Sequence, residues 1–269
     1  MRIYGVDFTC APRKAKPITV ASGTLARSAL RLEAIEKLAS FEEFETFLAR
    51  PGPWLGGFDF PFSLPRELVR DLAWPAQWAA LVAYCSRMSR LELRAALDTY
   101  RATRSPGSKY VHRATDYPAG SSSPMKLVNP PVALMFHEGA RRLAAADICL
   151  PGLRPNRSSR IALEAYPGLL ARKQLGIRAS YKSDTRSEHT PARRQLRAQI
   201  VRALKHGRPL GIAILLPRSL ERQILADGMG DLLDAVICAV QAAWAWRKRR
   251  MNYGLPADAP AEEGWILTA

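Results

Sequence analysis

Paired cysteines are missing from this chain. Its four, Cys10, Cys85, Cys149 and Cys238, stand far apart and form no CxxC, which excludes a cysteine-based zinc site of the usual spacing. Cys149 and Cys238 fall in apolar helical contexts and are expected as buried thiols. The four histidines, His112, His137, His189 and His206, show no metal-ligand spacing either, and His137 is expected as a packed or surface residue of an amphipathic helix. No apolar run approaches the ~20 residues that span a bilayer, and no secretory leader precedes the first strand. A membrane partner is therefore not expected, and a reducing cytoplasm is the expected compartment. The serine-hydrolase elbow GxSxG, the zincin HExxH, the dinucleotide-binding GxGxxG and the phosphate-binding P-loop are all missing. Acidic charge is scarce as well: 24 Asp+Glu face 40 Lys+Arg, a net charge of +16. Such an excess serves solubility or an anionic partner, of which nucleic acid (DNA or RNA) is the usual one.

What is present is a sizeable core. Hydrophobic residues make up 48% of the 269 positions, enough for one large domain with insertions or for two small ones. Arg2–Phe8 (RIYGVDF), Lys16–Leu25 and Leu30–Leu38 read as three strands, the third alternating in the manner of a half-exposed antiparallel strand. Ser40 is placed to cap a helix, with Glu43 three residues on as a capping box requires and Phe41, Phe44, Phe47 and Leu48 at helical spacing. Pro51-Gly52-Pro53 stops that helix, and Trp54–Phe60 (WLGGFDF) is a fourth, buried strand. From about 65 to 150 the pattern turns helical, with stretches at Glu67–Ala73, Ala76–Ser86, Leu91–Ala102 and Val132–Ala146. A Pro/Gly/Ser-rich loop over Ser105–Pro130 interrupts them. A fifth strand, Arg160–Ala165, follows, then a short helix at Gly168–Leu175, a polar loop at Ser180–Thr190 and helices at Pro191–Lys205, Ser219–Leu225 and Met229–Arg247. Gly264–Leu267 reads as a last edge strand. The order predicts an α/β chain: a mixed sheet with helices on both faces, one domain over 1–269 with a helical insertion after the fourth strand.

Against that apolar background a few carboxylates are out of place. Asp7 ends the first strand and Asp59 the fourth, although Asp is depleted from strands; each projects into a cleft at the strand ends or caps the following turn. Asp231 and Asp234 lie three apart on the last long helix, hence on one face, at the end whose dipole favours anions. Glu164, between Leu163 and Ala165, is either a fifth member of the cluster or the partner of an arginine. Ionised carboxylates gathered near a core repel one another, and a divalent cation with hard oxygen ligands, Mg²⁺ or Mn²⁺, removes the conflict. Positive charge is concentrated between Arg154 and Arg208, which hold fourteen Lys/Arg against three acids, and again at Arg247–Arg250. Within the first of these, Lys182, Arg193, Arg194 and Arg197 are the expected contacts to substrate phosphates, with a solvated loop charge as the other reading of Lys182.

IYGVDFT, GGFDFPFSLP, ALEAYPGLLARKQLG, GDLLDAVICAVQAAWAW and EGWI occur in that order, and together they resemble the predicted nucleases of domain of unknown function four-twenty-nine. The resemblance spans nearly the whole chain. It implies an RNase H-like fold, a five-stranded mixed sheet whose first three strands are antiparallel. It also implies two-metal hydrolysis of nucleic-acid phosphodiesters. In that wider group, and in the Holliday-junction resolvases especially, one acid ends the first strand, one ends the fourth and two lie three apart on the final helix. Asp7, Asp59, Asp231 and Asp234 match those places, with Asp7, Asp59 and Asp234 as metal ligands and Asp231 assisting. Asp59 is one methylene shorter than the resolvase glutamate, and Glu164 has no counterpart in the general group. Two other functions use the same sheet: a non-catalytic nucleic-acid binder, and an actin-like phosphotransferase, which needs a Gly-rich loop where Phe8-Thr9-Cys10 stand.

Overall fold

The apolar run at the head of the chain becomes the central strand of the sheet. In the computed structural model, which describes residues 1–269, six strands line up as β5-β4-β1-β2-β3-β6. They are β1 (Arg2–Asp7), β2 (Ile18–Ala26), β3 (Ala29–Leu38), β4 (Trp54–Asp59), β5 (Arg160–Glu164) and β6 (Ala213–Leu215). The first three are antiparallel neighbours, while β4 joins β1, β5 joins β4 and β6 joins β3 in parallel.

The sheet thus has six strands where the resemblance implies five. The extra strand is three residues long and pairs only with Ala29–Arg31, too short to carry a period of its own. Gly264–Leu267, expected as an edge strand, makes a single parallel bridge from Ile266 to Glu164 instead. The short helix after β5 is a π-helix over Leu169–Gln174. Cys238 is buried as expected, whereas Cys149 is only half-buried.

Nine α-helices surround the sheet. α1 (Phe41–Leu48) starts at Ser40, whose hydroxyl accepts from Glu43 N at 3.2 Å. The Glu43 carboxylate reaches back one residue further than a capping box has it, to Ala39 N at 2.6 Å. The insertion carries α2 (Arg66–Asp71), α3 (Trp78–Ser86), α4 (Arg90–Ala102), the single turn α5 (Asp116–Ala119) inside the expected loop, and α6 (Val132–Ala145). α7 (Pro191–Lys205), α8 (Arg218–Ala226) and α9 (Asp231–Arg247) complete the set. Trp78, Leu93, Leu97 and Phe136 of the insertion share one core with Val6, Phe8, Phe44 and Phe58. On the opposite face Ile3, Leu55 and Ile161 pack with α7 and α9. With both faces covered, β1 and β4 can be apolar throughout, as in a buried parallel pair.

α9 lies directly on β1 and β4, and two glycines permit it. A Cβ on Gly5 would stand 2.0 Å from the Ala235 carbonyl oxygen, and one on Gly57 2.6 Å from that of Cys238. Small residues on the helix, Ala235 and Ala239 among them, meet these bare stretches of strand. Strand side chains alternate between faces, so the residue two past each glycine points to the same side as the helix. Those residues are Asp7 and Asp59.

Candidate metal centre

Asp7 and Asp59 are register partners across the parallel β1–β4 pair. The helix seated on Gly5 and Gly57 starts at Asp231, with Asp234 in its first turn. Carboxylate oxygens of Asp7, Asp59 and Asp234 come within 4.8 Å of one another. The three acids read from sequence as metal ligands therefore do meet. Asp231 is outside this triad but close enough to Asp7 to raise it, and it accepts the Lys16 ammonium at 2.9 Å. Asp234 is fully buried, accepts the Tyr181 hydroxyl at 2.5 Å and is paired with the Lys182 ammonium.

The electrostatics follow from this crowding. Burial first, then Asp231 and Asp234, hold the Asp7 carboxyl well above the usual range, with Lys182 opposing them. Burial pushes Asp59 up to about 7; Lys182 lowers it, and Asp234 and Glu164 raise it. Burial also raises Asp231, against the pull of Lys16. Lys182 goes the other way: burial disfavours its charge, but Asp234, Tyr181, Asp7 and Asp59 overcome that and hold the ammonium tightly protonated.

These features suit a divalent cation. The donors are hard oxygens. Asp7 and Asp59 receive charge effects but no hydrogen bond, so their lone pairs are available. An ammonium already stands among them. The Thr19 hydroxyl, fully buried and without a partner, lies directly across β2 from Asp7, and opposed residues of an antiparallel pair project to one face.

The chain matches the family described as "Protein of unknown function (DUF429)" over residues 5–260. It belongs to that family. No curated protein and no solved structure matches it.

Asp7, Asp59, Asp231 and Asp234 all lie within the matched span of this DUF429 chain, and the first three line a cleft of about 910 Å³. Lys16 and Lys182 flank the acids, Lys126 and Asn129 enter from the insertion, and Arg172 and Arg178 stand on the segment after β5. Glu164 lines the cleft too, but its oxygens are engaged. Arg113 donates to them at 2.6 and 2.7 Å and Phe62 N at 3.0 Å. Of its two readings, the partner of an arginine is the one the contacts show.

The expected phosphate contacts divide differently. Lys182 faces the cleft, bound to Asp234. Arg193 donates to the Lys182 carbonyl at 3.2 Å and pairs with Glu188 at 2.9 Å. Arg194 is exposed on α7, away from the cleft lining. Arg197 is buried, donating to the Tyr181 carbonyl at 2.7 Å and the Leu225 carbonyl at 3.0 Å, so its charge is spent on chain carbonyls and not on substrate. Arg154 likewise gathers the carbonyls of Leu143, Ala144, Ala146 and Ile148. The cluster at Arg247–Arg250 closes the far end of α9, about 25 Å from the acids for 17 residues. His137 is buried on α6, Nε2 against the Met88 carbonyl at 3.0 Å, and no helix is long and apolar enough to cross a membrane.

Lys16, Tyr181 and Thr19 were missed from sequence. No local signal marks these three; the repeated Gly-x-Asp of GVD and GFD marks only a strand that a helix crosses just before its acid.

The raised carboxyls carry a stability cost. Asp59 has an ordinary value near 3.8 when unfolded and about 7 when folded, so its contribution is complete below about pH 4 and is lost as pH rises through 7. At about 1.4 kcal/mol per unit, up to about 4 kcal/mol is at stake, less where cleft water reaches it. The metal-free protein should lose on the order of 5 °C of melting temperature between pH 5 and pH 8. Mg²⁺ or Mn²⁺ should restore most of this, and Asp59→Asn should melt above the wild type at pH 8 without metal. Differential scanning calorimetry reads all three, and a wild-type melting temperature flat across that window would refute the assignment.

Proposed function

We propose that the chain is a metal-dependent nuclease that hydrolyses nucleic-acid phosphodiester bonds on an RNase H-like sheet. The observation that carries this reading is the convergence of Asp7, Asp59 and Asp234, from three distant segments, to within 4.8 Å. The central strand order β3-β2-β1-β4-β5, antiparallel across its first three members, supports the fold assignment. The net charge of +16 and the basic cleft lining support an anionic substrate.

Asp7 and Asp59 would hold the ion, with Asp234 completing the cluster. Bound Mg²⁺ or Mn²⁺ supplies a polarised phosphoryl oxygen and water of lowered pKa. Lys16 and Lys182 turn positive charge toward the cleft and stabilise a phosphate as its negative charge grows. Lys126, Arg172 and Arg178 hold the neighbouring phosphates without reading bases. In the reaction the oxygen of water joins phosphorus, the P–O ester bond breaks and the leaving oxygen ends protonated. The phosphotransferase alternative loses ground because no glycine occurs between Phe8 and Pro17, where its phosphate loop belongs.

The test is direct. Full-length protein with labelled single-stranded and duplex DNA and RNA should cut at least one substrate in Mg²⁺ or Mn²⁺ and stop on chelation. Salt-sensitive binding without cutting in either metal would establish the non-catalytic binder instead.

A further inference from the structure

Two divalent ions need carboxylates free to ligate both, and half of those here are already committed. Both oxygens of Asp234 are taken, Oδ1 by the Tyr181 hydroxyl at 2.5 Å and Oδ2 by the Lys182 ammonium. Asp231 is held by Lys16 at 2.9 Å, and Lys16 is held in turn by Asp184 at 2.9 Å. Asp7 and Asp59, side by side on β1 and β4, accept no hydrogen bond. Five carboxylates, the exposed Asp184 included, against two ammonium groups leave a charge of three minus, which one divalent cation reduces to one.

Lys182 is built into this position. Gly230, at φ +80°, precedes the first turn of α9, and a Cβ there would lie 2.6 Å from Lys182 Cβ and 3.0 Å from its Cδ. The lysine stem therefore lies against the start of α9, where only glycine leaves room for it, and its head is delivered to Asp234. The backbone on either side is pinned from α7: Arg197 donates to the Tyr181 carbonyl at 2.7 Å and Arg193 to the Lys182 carbonyl at 3.2 Å. A long side chain on a loop would otherwise lose considerable entropy in holding one geometry. The Thr19 hydroxyl, opposite Asp7 in the β1–β2 register, is buried and has no partner.

We infer that the Lys182 ammonium fills the place of a second cation, so that this centre takes one divalent ion, between Asp7 and Asp59, and works as an ion–lysine pair. The inference rests on the metal-site reading above and fixes how many ions that site takes. A phosphate entering the cleft meets the ion on one side and Lys182 on the other, the lysine acting as a compact point charge. It replaces the pair of ions ~3.5–4 Å apart of a two-metal centre.

Counting Mn²⁺ on the full chain, by electron paramagnetic resonance of the free ion at equilibrium, tests this without reference to activity. The wild type should saturate at one ion per chain. Lys182→Met, which vacates Asp234 Oδ2, should take up two, and its cutting should change from hyperbolic to sigmoidal dependence on Mn²⁺. Should that variant lose its near-ultraviolet dichroism, Lys182→Ala, which also vacates Asp234 Oδ2 and places no apolar bulk beside it, replaces it with the same expectation. Two ions on the wild type would overturn the inference and leave the metal site standing. One ion on a folded lysine variant would also overturn it. No bound ion on the wild type would overturn the metal reading itself.

Discussion

Asp7→Asn should slow phosphodiester cleavage by about a thousandfold or more while leaving the protein folded, a loss of about 4 kcal/mol of transition-state stabilisation. Asp7 is the acid whose charge is least welcome in the metal-free protein, crowded by Asp231 and Asp234 and without a hydrogen bond. Asparagine keeps its size and removes that charge. Ion affinity must then fall, because one of the two uncommitted ligands becomes a neutral amide. Stability must not fall, because a repulsion has been relieved, and in metal-free buffer above pH 7 it should rise. The combination of lost activity with unchanged or raised melting temperature separates a ligand from a structural residue. Asp258→Asn, on an exposed acid without partners, serves as the control and should cut at the wild-type rate. Undiminished cutting by Asp7→Asn, from protein purified free of contaminating nuclease, would end the assignment of this site.

The second large effect is on stability and lies a few residues from the chemistry. Arg113 is buried at the joint between the insertion and β5, with its guanidinium between Glu164 and Asp116. It donates to Glu164 at 2.6 and 2.7 Å and to Asp116 Oδ1 at 2.9 Å. Nearby, Thr115 Oγ1 accepts from Ile266 N at 2.9 Å, and the Glu263 carboxylate accepts from Arg66 N and Ala114 N, each at 2.8 Å. One cation therefore holds two buried carboxylates at the point where insertion, β5 and the C-terminal tail meet. Arg113→Met keeps much of the volume and removes the charge, leaving both carboxylates uncompensated. Breaking a buried pair in this way costs about 3–5 kcal/mol, on the order of 10 °C in melting temperature for a chain of this size. Urea unfolding should show the loss at pH 7 and a smaller one near pH 4, where the orphaned Glu164 carboxyl, raised by burial, takes up a proton. Adding Glu164→Gln to Arg113→Met should recover part of it. A single variant as stable as the wild type at neutral pH would show that the ion pair does not anchor the insertion.

Much of the site could be read from local pattern, for a physical reason. Strand alternation and helix periodicity are properties of neighbouring residues, so Asp7 and Asp59 at strand ends and Asp231 with Asp234 on one helical face follow from their own segments. The expected capping of α1 and the helical character of 65–150 are local in the same sense. The misreadings fall where a distant partner decides. β6 exists because the edge of β3 accepts three residues. Arg197, expected from its basic helix as a phosphate contact, has its guanidinium drawn inward by the carbonyls of Tyr181 and Leu225. The segment around Glu164 allows two readings, and Arg113, fifty-one residues away, decides between them.

The amino-acid order by itself determined which acids stand on apolar elements, which face each one takes and that the chain carries excess positive charge, since these depend only on backbone periods and composition. Only the tertiary structure decided which of those acids keep free oxygens. Lys16 lies 215 residues from Asp231 and Lys182 lies 52 from Asp234. Whether a carboxylate meets an ammonium or stays open is settled by contacts of about 3 Å, and these arise only once α9 has settled onto the bare glycines of β1 and β4.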